Sequence, residues 1–105
     1  MATGFACLRS GLKDNNLTHF NKIVPVLRDI RRYGSAAIDL CYVACGKLDG
    51  FWEMNLNVYD IAAGALIVKE AGGNITDFSN GAHYPERGIV AANSYLHPLL
   101  IKMLN

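Results

Sequence analysis

The sequence predicts an α/β fold, a sheet covered by helices, and three observations predict it. Segments of helical spacing alternate with short aromatic or β-branched runs along the chain. Hydrophobic residues make up 51% and charged residues 18%, the composition of a packed core rather than of disorder. A length of 105 residues suffices for one modest domain and not for two.

Element by element, residues 2–5, Ala-Thr-Gly-Phe, read as a short strand directly after Met1, with no polar leader. Residues 11–16 form a polar loop. From Leu17 to Ile30, apolar residues recur at Leu17, Phe20, Ile23, Val24, Leu27 and Ile30, which is helical spacing with Pro25 as a kink. Ser35 can cap a second helix whose stripe is Ala37, Leu40, Cys41 and Ala44 and whose stop is Gly46. The aromatic, roughly alternating run 50–56 predicts a strand. A third helix lies within Asn55 to Gly73 and is stopped by Gly72-Gly73. Residues 74–78 and 88–93 read as short strands separated by the turn signal Asn80-Gly81. A last helix covers about Tyr95 to Leu104. There is no internal repeat, low-complexity tract or linker.

The formal net charge of +1 gives no electrostatic reason to expect nucleic acid. No uninterrupted apolar run reaches membrane-spanning length, and the amino terminus lacks the regions of a signal peptide. Cys7, Cys41 and Cys45 are odd in number and lack metal-site spacing, so buried thiols in a reducing compartment are expected, with the cytoplasm as location.

Chemistry centres on Asp60, the one carboxylate at the head of an apolar helix. With Asn57 as the cap, Asp60 falls at the third helical position, where unpaired amides and the helix dipole favour a negative charge. The functional alternative is a hard-cation ligand, because carboxylate oxygens are what magnesium takes. Glu53, between Trp52 and Met54, either faces solvent or points into a cleft at its strand's end, where it could accept hydrogen bonds from substrate hydroxyls. Gly34-Ser35-Ala36, behind two arginines, opens a helix whose free amides can hold an anion or serve only packing. Asp39 and the Asp49-Gly50 turn read as structural, as do Lys69 and Glu70 on a solvated helix edge. Tyr42, Phe51, Trp52 and Tyr59 read as core or interface. His19, His83 and His97 are scattered, and no acid–base dyad can be built from them.

The segments GSAAIDLCYVACGKLDGFWE, YDIAAGALIVKEAGG and GIVAAN follow one another as in the inositol monophosphatase family, and the chain resembles its bacterial members most. The family signature, Trp-Asp-x-Ala-Ala-Gly ending in Glu-Ala-Gly-Gly, is matched by Tyr59 to Gly64 and Glu70 to Gly73, with Tyr59 in place of tryptophan. The resemblance implies a mixed sheet of about five strands sandwiched between helices. It also implies Mg2+-dependent, lithium-sensitive hydrolysis of inositol monophosphate or a similar polyol phosphate. By it, Asp60 would ligate the second magnesium, Glu53 would bind inositol hydroxyls, and Gly34, Ser35 and Ala36 would contact the substrate.

The family's first metal site, an Asp-Pro-x-Asp-Gly-Thr segment with an upstream glutamate and threonine, has no counterpart in the sequence. Residues 1–105 are therefore expected to be a carboxy-terminal domain, inactive without an amino-terminal partner domain, from a protein that forms homodimers. A related phosphatase acting on phosphoadenosine phosphate, histidinol phosphate or fructose bisphosphate is the alternative enzyme. A regulatory protein-binding module, as in moonlighting bacterial relatives, is the alternative outside enzymology. Nucleic acid and membrane are not expected partners.

Overall fold

Two buried clusters on opposite faces of a small sheet organise the chain. The computed structural model describes residues 1–6 and 16–105. Strands β1 (Ala2–Thr3), β2 (Gly50–Glu53), β3 (Asn74–Thr76) and β4 (Ile89–Ala92) lie in the order β1-β2-β4-β3. β1 runs parallel to β2, and both other pairings are antiparallel. Four strands, rather than about five, occur among the described residues. Helices α1 (Asn16–Ile23), α2 (Ala36–Ala44), α3 (Val58–Glu70) and α4 (His97–Leu104) cover both faces. Phe51, Ile89 and Ala91 face α2 and α3, whereas Trp52, Val90 and Ala92 face Ile23 of α1 and Leu100 and Leu104 of α4. All four residues of β2 are buried, so the sheet is a middle layer and the expected polar alternation is absent.

α2 and α3 pack closely on one another. A Cβ at Gly64 would stand 2.7 Å from both Cβ and Cδ1 of Leu40, so this glycine admits the neighbouring helix. The stripe of α2 is Ala36, Asp39, Leu40 and Val43, one position off the expected stripe. Ala36, the first residue after the Ser35 cap, is buried, and Ala37, one position on, is exposed.

Three further expectations are corrected. The first helix ends at Ile23, and Pro25 sits in a separate 3₁₀ turn, Val24–Val26, since proline offers no amide and clashes with the preceding turn. The 74–78 strand stops at Thr76. Asp77 instead folds the following loop by accepting from the amides of Ser79 and Gly81 at 2.8 Å and His83 at 3.1 Å. Burial pushes its carboxyl up, but those three donors outweigh that and hold it below its ordinary value. Cys41 is half-buried and Cys45 exposed, both free thiols. Cys7 and most of the 11–16 loop lie outside the described residues. No helix among the described residues is long and apolar enough to cross a membrane.

Candidate functional site

Asp60 sits half-buried in the first turn of α3. Asn57, in extended backbone, is the cap. Its amide donates to Asp60 Oδ2 at 3.0 Å, and the Asp60 amide donates back to the Asn57 carbonyl at 3.0 Å. That is the return half of a capping box. A carboxylate offers about four lone-pair sites, so capping does not exhaust it. Asn57 Nδ2 also donates to the Tyr59 hydroxyl at 2.9 Å. Tyr59, 81% exposed, is neither core nor part of an interface within the chain, because its helix position points away from the sheet.

Ser35 caps α2 as its sequence predicts: its hydroxyl accepts from the Ile38 amide at 3.3 Å, and its carbonyl accepts from Asp39 at 2.9 Å. Gly34 precedes it with φ +82°, a left-handed turn that most side chains resist. The approach to this turn is fixed by β1. The Arg31 amide donates to the Met1 carbonyl at 2.9 Å, and the Thr3 amide donates to the Arg31 carbonyl at 3.2 Å. Arg31 pairs with exposed Asp29 at 2.6 Å. Arg32, the next residue, lies 5.9 Å over the Phe5 ring.

Glu53 ends β2. Thr3 pairs with Trp52 in the parallel ladder, so the chain leaving β1 passes alongside Glu53. The side chain is 6% exposed, and the Ala6 amide donates to its Oε2 at 3.5 Å. Glu53 is therefore buried at a cleft rather than turned to bulk water.

One cleft of about 340 Å³ is bordered by Gly34, Ser35, Ala36, Glu53 and Asp60 together. The starts of α2 and α3 both open onto it, so free amides and two positive dipole ends meet two carboxylates. Gly4, Phe5, Arg32 and Tyr59 complete much of its wall. Of these, Gly4 and Phe5 carry no chemical signal in the sequence beyond a glycine after a strand. Arg32 is visible there only as one of two adjacent arginines, and the ladder contact of Arg31 decides which one enters the cleft. Among the described residues no group of three His, Cys, Asp or Glu side chains is placed to hold a metal ion. Asp60 has the hard oxygen chemistry of one corner of such a site.

The remaining titratable groups sit elsewhere. Asp39 is 1% exposed, its Oδ1 has no hydrogen-bond partner, and burial raises its pKa to about 6. His97 is buried against Thr76 Oγ1 at 2.8 Å, and burial lowers its pKa. Neither lines the cleft.

The chain matches the family model described as Inositol monophosphatase family over residues 4–105. It is 41% identical over 100 residues to an inositol-1-monophosphatase of Mesorhizobium japonicum, covering 94% of this chain and 38% of that one. It is 44% identical over 92 residues to a Nus factor SuhB of Pasteurella multocida, covering 88% and 34% respectively. The solved inositol monophosphatase of Anabaena (Nostoc) sp. PCC 7120 superposes with a TM-score of 0.91 at 38% identity, over 98% of this chain and 41% of that one. The chain thus spans well under half the length of these relatives.

Proposed function

The chain belongs to the inositol monophosphatase family, and from that premise we propose that the longer protein carrying it hydrolyses inositol monophosphate or a similar polyol phosphate with Mg2+. One observation carries the reading. Five residues singled out from three separate stretches of sequence, Gly34-Ser35-Ala36, Glu53 and Asp60, border a single cleft.

In this proposal each group has a distinct task. Asp60, fixed by its cap, presents a carboxylate to a divalent ion. That ion would polarise the phosphoryl group and offset charge developing at its oxygens. Glu53 accepts hydrogen bonds from substrate hydroxyls and so orients the ring. The amides at the start of α2 and the Arg32 guanidinium draw the anionic end of the substrate toward the cleft. The other metal ligands and the group that activates water would come from sequence outside residues 1–105, in an amino-terminal domain. On this reading the 105-residue chain alone is inactive, and the complete protein forms a homodimer.

The test compares Glu53→Gln with wild type in the complete protein, on inositol monophosphate and on phenyl phosphate. A selective loss on the polyol, about tenfold in relative kcat/KM for one weakened charged hydrogen bond, is expected. Equal losses on both esters would count against the assignment. The same substrate panel, extended to phosphoadenosine phosphate, histidinol phosphate and fructose bisphosphate, separates the related phosphatases.

Similarity to a protein named Nus factor SuhB favours a second reading, a regulatory protein-binding role. It predicts that Asp60→Asn abolishes hydrolysis while captured partners are retained.

A further inference from the structure

The Glu53 carboxylate rests on bare backbone. A Cβ built on Gly4 would stand 2.5 Å from Cδ, Oε1 and Oε2 of Glu53 alike. Distances this uniform mean that the carboxylate lies across the glycine's α-carbon, where no larger residue fits without moving it.

Behind this contact is a polar knot inside the apolar core. Thr3 Oγ1 donates to the Trp52 carbonyl at 2.6 Å. Asn16 Nδ2 donates to Thr3 Oγ1 at 2.7 Å and to the Gly4 carbonyl at 2.8 Å. The Trp52 indole N–H donates to Asn16 Oδ1 at 2.6 Å. Thr3 is 1% exposed, and Asn16 and Trp52 are fully buried.

Burying these groups is costly unless every partner is present, and the β1–β2 ladder already joins the two strands. The knot adds something the ladder lacks. β1 ends at Thr3, and the Asn16 bond to the Gly4 carbonyl reaches one residue beyond it. The residue so anchored is the one on which Glu53 lies.

We propose that Gly4 is a positioning residue for Glu53, held in place by the buried Thr3–Asn16–Trp52 network, and that this seat sets the preference of the cleft for polyol phosphates. The inference rests on the reading of Glu53 as the hydroxyl-binding group.

The experiment measures kcat and KM of the complete protein on inositol monophosphate and phenyl phosphate. Gly4→Ala is expected to lower the polyol preference, the ratio of the two kcat/KM values, about tenfold, mainly through KM for inositol monophosphate. Adding Glu53→Asp shortens the carboxylate arm by one methylene and frees the space the new methyl takes. The double variant should therefore regain at least threefold of the preference that Gly4→Ala loses, a coupling that a purely structural glycine would not show. Thr3→Val should lower the preference in the same direction, and Thr3→Ser, which keeps the hydroxyl, should restore it. The Thr3 pair decides the matter if Gly4→Ala does not fold.

A preference within twofold of wild type in Gly4→Ala, with Glu53→Gln still shifting it, overturns the positioning role alone. No shift in Glu53→Gln overturns the underlying reading of the cleft, and this inference with it.

Discussion

Asp39→Asn should stabilise the protein at neutral pH and leave it nearly unchanged in acid. The Asp39 side chain sits among the core residues of α2, with one oxygen unpartnered. Burial disfavours its charged form and lifts its pKa from 3.8 to about 6. At about 1.4 kcal/mol per tenfold change in proton affinity, holding the carboxylate ionised at pH 7 costs roughly 2–3 kcal/mol. The sign follows from linkage: the folded state binds the proton more tightly, so this contribution is fully present below pH 3.8 and is lost as pH rises through about 6. Asparagine keeps the shape and removes the charge. Urea unfolding of both proteins from pH 4 to pH 8 isolates the effect, because other titrating groups cancel in the difference. The variant's advantage should grow from about zero at pH 4 to about 2 kcal/mol at pH 7, allowing for the new amide donors. A difference that does not vary with pH would refute the assignment of the strain to this carboxylate.

Gly64→Ala should lower stability by about 1–3 kcal/mol, since its methyl must displace Leu40; urea unfolding measures it, and Leu40→Ala in the same chain should show strong coupling. For His97, burial favours the neutral ring, so its contribution is full above pH 6.5 and is lost as pH falls below that value. An NMR titration should place the His97 midpoint below 6.5, and His97→Gln should remove that part of the acid sensitivity. Ser35→Ala should cost about 1 kcal/mol through loss of the α2 cap, read by the same unfolding assay.

Much of the fold was legible because its signals are local. The Ser35 cap, the Asn57–Asp60 pair and the Gly72-Gly73 stop depend on residues a turn apart, and each appears where the sequence puts it. The stretches that went astray depend on contacts distant in sequence. Ala37 and Cys41 have helical spacing as good as that of Ala36 and Val43, and only packing on the sheet selects between them. Nothing local says that Pro25 ends its helix outright, nor that Asp77 gathers three amides into a loop instead of continuing β3.

The cleft divides in the same way. Asp60, Glu53 and the Gly34 turn carry chemistry that a sequence displays. Gly4 and Asn16 do not: one matters for an absent side chain, the other for bonds to Thr3, Gly4 and Trp52 formed across the core.

On the proposed function, this cleft contributes one carboxylate to a divalent-ion site whose remaining ligands lie in sequence outside these residues. The most direct measurement is Mg2+-dependent hydrolysis of inositol monophosphate by the complete protein with Asp60→Asn, a change that keeps an oxygen to accept from the Asn57 amide. The account predicts an intact fold, activity reduced at least a hundredfold and an altered dependence on magnesium concentration. Wild-type turnover with the same magnesium dependence would contradict it.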